Sequence, residues 1–283
     1  MRFVSHKPAA PLDRFVDSIW YHEAPELPDA IERILPRGSM SLLINLAEDE
    51  LRGYQGDDLA RCHRMKGVAL CGAYSEHFAI DTQEQRSIVG VEFSPGGAYP
   101  FFDEPADVLA NQHVSLELLW RREASLLRER VLHAPSPEAK LRVVERVLLE
   151  RLARPLERDR AVDFALRAFS DRTPHGRARA VSDVLGELGI SGKRLLKSFA
   201  EQVGLTPKRY LRVQRFQQTL DVIAAREYAR ESSRAVVSWA SVALDAGFYD
   251  QAHFIHEFRA FAGVTPREYV ARRREKNHLR VAE

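Results

Sequence analysis

The sequence predicts an α+β fold, with an N-terminal antiparallel β-barrel or sandwich, helices that follow it, and an all-α C-terminal domain. Strand-like segments fill the first half, helical apolar spacing fills the second, and one twelve-residue pattern occurs twice near the C-terminus. A chain of 283 residues is long enough for two domains with separate cores. We expect a β domain over 1–134, a helical connector over 135–158 and the all-α domain over 159–283.

Six segments of the first half have strand composition. They are rich in β-branched, aromatic and leucine residues, and Pro- and Gly-containing turns separate them. The predicted strands are Val16 to Glu23, Ile31 to Leu35, Met40 to Leu46, Gly67 to Tyr74, His77 to Asp81 and Ile88 to Ser94. Such spacing is typical of a small antiparallel sandwich or barrel. Apolar spacing then predicts helices over 115–132 and 137–153.

A sequence repeat defines the C-terminal part. From Phe199, and again from Phe258, the chain reads Phe, four residues, Gly, one residue, Thr-Pro, two residues, Tyr, and five of the twelve positions are identical. Gly204 and Gly263 follow helical patterns, at the position where a left-handed residue ends a helix. Each Thr-Pro pair then supplies the N-cap and the first position of another helix.

The residues before each copy complete a helix-turn-helix unit. Gly189 corresponds to Gly247 and Ser191 to Asp250, with one more residue in the second turn. Ser and Asp are good N-caps, so a second helix begins at each. Between the copies, apolar residues spaced by three and four predict one amphipathic linker helix that holds the two units at a fixed separation, namely Tyr210, Val213, Phe216, Leu220 and Ile223.

Helical spacing also assigns the outward face of each second helix. In the first copy Leu195, Phe199 and Val203 face inward, and in the second Phe254, Phe258 and Phe261 do. The outward residues are Gly192, Lys193, Arg194, Leu196 and Lys197, and in the second copy Gln251, Ala252, His253 and His256. Gln pairs with adenine, and Ala or Leu contacts a thymine methyl group. The alternative for the two His residues is a solvated position with no contact.

The segments GISGKRLLKSFAEQVGLTPKRYLRVQRFQ (189–217) and WASVALDAGFYDQAHFIHEFRAFAGVTPREYVARR (239–273) resemble the two halves of the AraC-type DNA-binding domain of transcription regulators. The resemblance covers about 159–275. It implies base contacts by Lys193, Leu196 and Lys197, and by Gln251, Ala252, His253 and His256. Where this family often has Arg just before the core Phe, the present chain has Lys197 and His256.

Charge is divided between the two halves. Residues 159–283 contain 22 Lys and Arg against 15 Asp and Glu, a net charge of +7, whereas residues 1–158 have a net charge of −5. This is expected when only one domain contacts nucleic acid. Two interpretations stay open for four cations near the linker helix, phosphate contact or a solvated helix face: Lys208, Arg209, Arg212 and Arg215. For the Arg272-Arg273-Arg274 run, the two interpretations are non-specific DNA contact and a frayed tail.

The segments FVDSIWYHEA, LPRGSMSLLINL, VGVEFSPGGAYPFF and VSLELLW are similar to the cupin-like sensor domain of one AraC-family branch, over roughly 1–150. This resemblance implies a small effector in the barrel, or dimerisation through the barrel and adjoining helices. Pockets combine aromatic surface with a few polar groups. The candidate effector-binding residues are therefore Trp20, Arg37, Tyr74, Glu92 and Phe93, each with a purely structural role as its alternative.

Other classes of site have no support in the sequence. No His-x-His pair indicates a cupin metal site, and the P-loop, nucleophile-elbow and dinucleotide motifs are missing. We therefore expect no catalytic residue, no metal and no cofactor. Cys62 and Cys71 are either reduced thiols or an oxidant-sensing pair. The chain has no long apolar run and no secretory signal, so we expect a cytoplasmic protein without membrane contact.

Together these features predict a bacterial transcription regulator that binds double-stranded promoter DNA and responds to a small-molecule effector. A second copy of the chain and RNA polymerase are further candidate partners. Two alternatives stay open: a constitutive regulator whose β domain only dimerises, and a cupin-type enzyme with a DNA-binding tether.

Overall fold

A computed structural model describes residues 2–24, 31–56, 58–170, 179–233 and 238–281. The strands are β1 (Arg2–His6), β2 (Val16–Glu23), β3 (Ile31–Ile34), β4 (Ser41–Asn45), β5 (Glu50–Gln55), β6 (Cys62–Lys66), β7 (Val68–Cys71), β8 (Phe78–Asp81), β9 (Ser87–Phe93), β10 (His113–Ser115), β11 (Arg273–Glu275) and β12 (His278–Arg280). The helices are α1 (Leu116–Trp120), α2 (Arg122–His133), α3 (Pro137–Glu150), α4 (Arg160–Ser170), α5 (Val181–Leu188), α6 (Gly192–Val203), α7 (Pro207–Ser233), α8 (Trp239–Asp245), α9 (Gln251–Ala262) and α10 (Pro266–Arg272). The α+β fold class is confirmed.

Two antiparallel sheets of six strands form the β domain. The first has the order β1-β2-β9-β4-β7-β10, and the second β11-β12-β3-β8-β5-β6. Side chains alternate between the two faces of a strand. Leu42 and Val91 on one face of the first sheet join the core that includes α2 and α3, whereas Ala69 and Ile88 on the other face pack with Leu51 of the second sheet.

The helix predicted over 115–132 is divided in two. Arg121 has φ 51°, an unusual conformation for a residue with a Cβ, and it separates α1 from α2. Just before it, the indole nitrogen of Trp120 donates to the carbonyl of Phe101 at 3.1 Å.

Within the described part of the chain, no helix is both long and apolar enough to cross a bilayer.

The C-terminal helices begin and end where the sequence predicts. Gly204 and Gly263 adopt left-handed conformations with φ 89° and 69° and end α6 and α9. Thr265 forms a capping box with Glu268 at the start of α10. The apolar residues predicted to line α7 are buried, namely Tyr210, Val213, Phe216, Leu220 and Ile223, and the ring centroids of Phe216 and Phe258 lie 5.3 Å apart. The linker helix therefore packs on the second unit as predicted.

A β-hairpin at the C-terminus joins the second sheet. Strand β12 pairs with β3, so residues beyond the helical domain extend the sheet of the β domain. Leu279 is 1% exposed, and the Arg274 guanidinium lies 2.8 Å from the carboxylate of Glu32. The frayed-tail interpretation of the Arg272–Arg274 run is wrong, because Arg273 and Arg274 belong to a hydrogen-bonded strand.

Candidate DNA-binding surface

Helix α6 exposes the surface predicted for the first recognition helix. It begins at Ser191, whose hydroxyl oxygen accepts from the backbone nitrogen of Arg194 at 3.3 Å. Leu195, Phe199 and Val203 are buried against the domain core. The residues predicted to face DNA are all exposed, namely Gly192, Lys193, Arg194, Leu196 and Lys197. Three cations and an accessible leucine thus occupy the N-terminal half, which enters the major groove in this motif.

Helix α9 repeats this arrangement with less charge. The Asp250 carboxylate accepts from the backbone nitrogen of His253 at 2.7 Å and caps the helix. Phe254 and Phe258 are buried. The outward residues Gln251, Ala252, His253 and His256 are exposed. The two units can therefore present different chemistry to DNA, basic in α6 and amide or imidazole in α9.

Tyr249 is an exposed residue beside α9 that no sequence pattern predicted. This side chain directly precedes the N-cap of α9 and is 90% exposed. Tyr hydroxyls are common donors to DNA phosphates, and the turn before a recognition helix lies beside the backbone. The corresponding residue of the first copy, Ile190, is half-buried and packs on the core. The signal that could have identified Tyr249 in the sequence is an aromatic residue at a turn position where the other copy has an aliphatic one.

The cations of the linker helix have different environments. The Arg212 guanidinium makes two contacts with the Glu257 carboxylate, at 2.9 and 3.2 Å, and lies over the ring of Phe261. The Arg209 guanidinium lies 3.5 Å from the carboxylate of Glu76 in the β domain. These partners favour a structural role for Arg212, whereas Lys208 is exposed at the start of α7.

Three of the five candidate effector-binding residues lie together in the β domain. The indole nitrogen of Trp20 donates to one carboxylate oxygen of Glu92 at 3.3 Å, and the Arg37 guanidinium lies 3.1 Å from the other. The indole ring covers Gly90, where an added Cβ would lie 2.1 Å from a ring carbon. Gly90 is therefore the residue that makes space for Trp20 on this face of the first sheet.

Tyr74 belongs to a separate group of rings. Its hydroxyl is 2.6 Å from Nδ1 of His113, and its ring centroid is 4.2 Å from that of Phe78. Burial lowers the pKa of His113 to about 4, so its imidazole is neutral at pH 7. Burial likewise raises the pKa of the Tyr74 hydroxyl.

Phe93 lies in the core. It is 0% exposed and packs near Phe101 and Phe102. Because adjacent strand residues point to opposite faces, Phe93 and Glu92 do not share a surface.

Within the described residues, no group of three or more His, Cys, Asp or Glu side chains is arranged to hold a metal ion. Cys62 and Cys71 are both free thiols. Burial raises the pKa of the Cys71 thiol to about 12, which keeps it protonated and unreactive at neutral pH.

Two capped helix-turn-helix units with exposed recognition helices define a DNA-binding protein. Residues 185–272 match a family model described as a helix-turn-helix domain, and residues 4–115 match one described as a domain of unknown function, DUF6597. The C-terminal part of the chain is therefore a helix-turn-helix domain, in the segment whose sequence resembles the AraC-type DNA-binding domain. A search of curated protein sequences finds no significant match.

Several solved structures of ToxT from Vibrio cholerae are loosely similar to the whole chain. A 1.65 Å structure is 12% identical, covers 95% of this chain and 98% of its own, and has a TM-score of 0.46. A structure of ToxT with bound unsaturated fatty acid is 12% identical, with coverages of 95% and 94% and a TM-score of 0.44.

Proposed function

We propose that this protein is a sequence-specific transcription regulator that reads promoter DNA with α6 and α9. The observation that carries this proposal is the matched exposure of the two recognition helices. Both begin at a side-chain cap, bury an apolar stripe and leave the predicted DNA-facing residues accessible. Two such units in one chain suit successive major grooves, about 10 base pairs apart. No step of this function needs a catalytic residue.

The different charges of α6 and α9 predict different contributions to DNA affinity and to base discrimination. Lys193, Arg194 and Lys197 can neutralise phosphates, which supplies most of the sequence-independent affinity. Gln251 can read adenine, and Leu196 and Ala252 can contact thymine methyl groups. We therefore assign most of the salt-dependent affinity to α6 and a larger share of base discrimination to α9.

We further propose that a small effector binds in the β domain at Trp20, Arg37 and Glu92. A ligand that competes for the Glu92 carboxylate would release Arg37, which lies in a turn against the linker helix. The Gln214 side chain donates to the Arg37 carbonyl at 3.1 Å. A Cβ on Gly38 would lie only 3.3 Å from Val213. The turn therefore links the candidate effector site to α7.

An effector can act only by binding one arrangement of this turn better than another. A charged ligand, or one that both donates and accepts hydrogen bonds, suits this site. Once the two side chains separate, Glu92 offers an acceptor and Arg37 offers a donor. Tyr74, in the separate ring group with His113 and Phe78, stays a further candidate contact.

A constitutive regulator that only dimerises is the second candidate. It is favoured by exposed leucines on the helices beside the first sheet, namely Leu118, Leu126 and Leu149, which are 76%, 41% and 40% exposed, and by Leu152 just after α3, which is 38% exposed. Exposed apolar residues that cluster on helices mark interaction surfaces. This version differs in one measurable respect, because its DNA affinity would not respond to any metabolite.

The test is selection of bound duplexes from a random DNA library by the purified full-length protein. We expect an enriched motif with two half-sites about one helical turn apart. Gln251→Ala should lose discrimination at one position of that motif, and Gln83→Ala, in the β domain, is the matched control that should not. Failure of the wild-type protein to enrich any motif would refute the regulator proposal.

A further inference from the structure

Both recognition helices are anchored to the β domain at their C-terminal ends. In the first unit, the backbone nitrogen of Ala106 donates to the carbonyl of Glu201 at 2.8 Å, and the Tyr99 hydroxyl donates to the Glu201 carboxylate at 2.9 Å. In the second unit, the buried Arg33 guanidinium donates to the carbonyl of Ala262 at 3.1 Å. The DNA-facing halves of both helices remain exposed. The β domain therefore positions the helices without covering their reading surfaces.

One loop contacts both units at the same position of the repeat. We call residues 72–77, between β7 and β8, the spacer loop. A Cβ on Gly204 would lie 3.1 Å from the Cβ of Ala73, and a Cβ on Gly263 would lie 2.7 Å from Cε1 of His77. The repeated glycine thus has a second role besides ending a helix, because each copy lets the backbone approach the spacer loop closely.

Between these two contacts, the spacer loop also meets the linker helix. The Glu76 carboxylate lies 3.5 Å from the Arg209 guanidinium, near the start of α7. Ala73 and His77 are four residues apart, so they can be separated by at most about 14 Å. A short piece of chain therefore lies between the ends of two helices that must reach different major grooves.

The spacer loop is held in place by the β domain. The backbone nitrogen of Gly72 donates to the Gln112 carbonyl at 2.9 Å, and that of Ser75 donates to the Asn111 side chain at 2.7 Å. A Cβ on Gly72 would lie 1.7 Å from the Leu109 carbonyl oxygen, so this backbone approach is also close. Tyr74 extends from the same loop to His113. These contacts make the loop a fixed part of the domain surface.

We infer that the spacer loop sets the separation of α6 and α9 and so determines which half-site spacing the protein accepts. This inference rests on the proposed function, since it requires both helices to bind DNA. The linker helix joins the two units and packs on both, through Tyr210 against Phe199 and Phe216 against Phe258. The spacer loop supplies a second, independent connection, and two connections fix the relative orientation of two bodies better than one. Half-site spacing is then a property of the β domain as well as of the helical domain.

The experiment changes the length of the spacer loop in the full-length protein. Two glycines are inserted between Ser75 and Glu76, which can lengthen the loop by about 7 Å. The same insertion beside Gly56 is the control, because nothing lies within 4 Å of a Cβ there. Affinity is measured for duplexes whose two half-sites are moved apart in steps of one base pair. Because the rise is about 3.4 Å per base pair, we expect the preferred spacing to shift by about two base pairs or the preference to flatten.

A second variant tests the same inference if the insertion variant does not fold. The double substitution Glu76→Ala, His77→Ala removes the side chains beside Arg209 and Gly263 and keeps the loop length. It should broaden the accepted range of spacings while a duplex with one half-site binds as before. An unchanged spacing profile in a folded insertion variant, or in the double variant, would overturn the spacer-loop inference and leave DNA binding intact. No spacing preference in the wild-type protein would also overturn it, and no specific binding at all would refute the regulator proposal with it.

Discussion

The side-chain amide of Gln217 donates to the carbonyl of Pro36 at 2.7 Å, which joins the middle of the linker helix to the turn that carries Arg37. The same nitrogen lies 2.7 Å from the side-chain oxygen of Asn277 in the C-terminal hairpin. One residue of the helical domain thus contacts the candidate effector region and the segment that extends the second sheet.

Gln217→Ala should destabilise the folded protein. The change leaves two acceptors without this donor, and an unmatched buried polar group costs about 1 to 3 kcal/mol. Urea unfolding measures the difference. Gln218→Ala is the matched control on the same helix and should change the free energy of unfolding by less than about 0.5 kcal/mol. Equal effects of the two substitutions would contradict a structural role for the Gln217 contacts.

Lys197→Ala should weaken DNA binding. If the Lys197 ammonium contacts a phosphate, affinity falls for all sequences and the slope of log affinity against log salt flattens by about one unit. If it contacts a base, discrimination at one operator position falls by about 1 to 3 kcal/mol. Salt titrations on matched and mismatched duplexes separate these results, and Lys7→Ala in the β domain serves as the control. Unchanged binding in both respects would show that the register assigned to α6 is wrong.

His113 should make stability depend on pH. Because burial lowers its folded pKa from 6.5 to about 4, the unfolded chain binds more protons between these values. Stability from this group is therefore complete above pH 6.5 and is lost as pH falls toward 4, by about 3 kcal/mol at most. His113→Phe should flatten the profile of unfolding free energy against pH in this window. An identical slope in the variant would rule out this source.

Leu279→Ala should weaken the attachment of the C-terminal hairpin to the β domain. The side chain is 1% exposed, and truncation of a buried leucine costs about 2 to 5 kcal/mol. Amide hydrogen exchange at β3, which pairs with β12, should become faster. Val281→Ala is the neighbouring control at a half-buried position. Unaltered protection of β3 would mean that the hairpin is not needed to order that edge.

The two cysteines should differ in reactivity. Cys62 is partly exposed on β6, whereas Cys71 is buried and its pKa is raised to about 12. A thiol reagent at pH 8 should modify Cys62 in the native protein and Cys71 only after unfolding. Cys62→Ser, which retains Cys71 alone, is the variant that isolates the buried thiol. Rapid modification of that variant would contradict the burial of Cys71.

Each of the six predicted strands overlaps a strand of the structure, namely β2, β3, β4, β7, β8 and β9. Val16 to Glu23 is reproduced with the same bounds as β2. Strands β1, β5, β6, β10, β11 and β12 were not predicted, because they are short or carry many polar residues. Such strands form when a partner strand supplies the hydrogen bonds, and local composition does not record the partner.

The candidate effector residues show the same limit. Trp20, Arg37 and Glu92 meet because β2 and β9 pair in one register and the turn before β4 bends over their end. That register depends on contacts across the sheet, so the sequence could name the residues but not group them. The sequence could have predicted that Glu92 and Phe93 lie on opposite faces of the sheet, because neighbouring residues of a strand point to opposite faces.

The two helix-turn-helix units, their caps and the outward faces of their recognition helices could be predicted from the sequence alone. These features depend on interactions between residues at most four positions apart in the chain. Gly204 and Gly263 end their helices and Thr265 caps the next one through such local interactions. The contact of one loop, through Ala73 and His77, with both repeated glycines becomes visible only in the folded chain. Such contacts join residues far apart in the chain, and they depend on how whole sheets and helices pack, which no local pattern encodes.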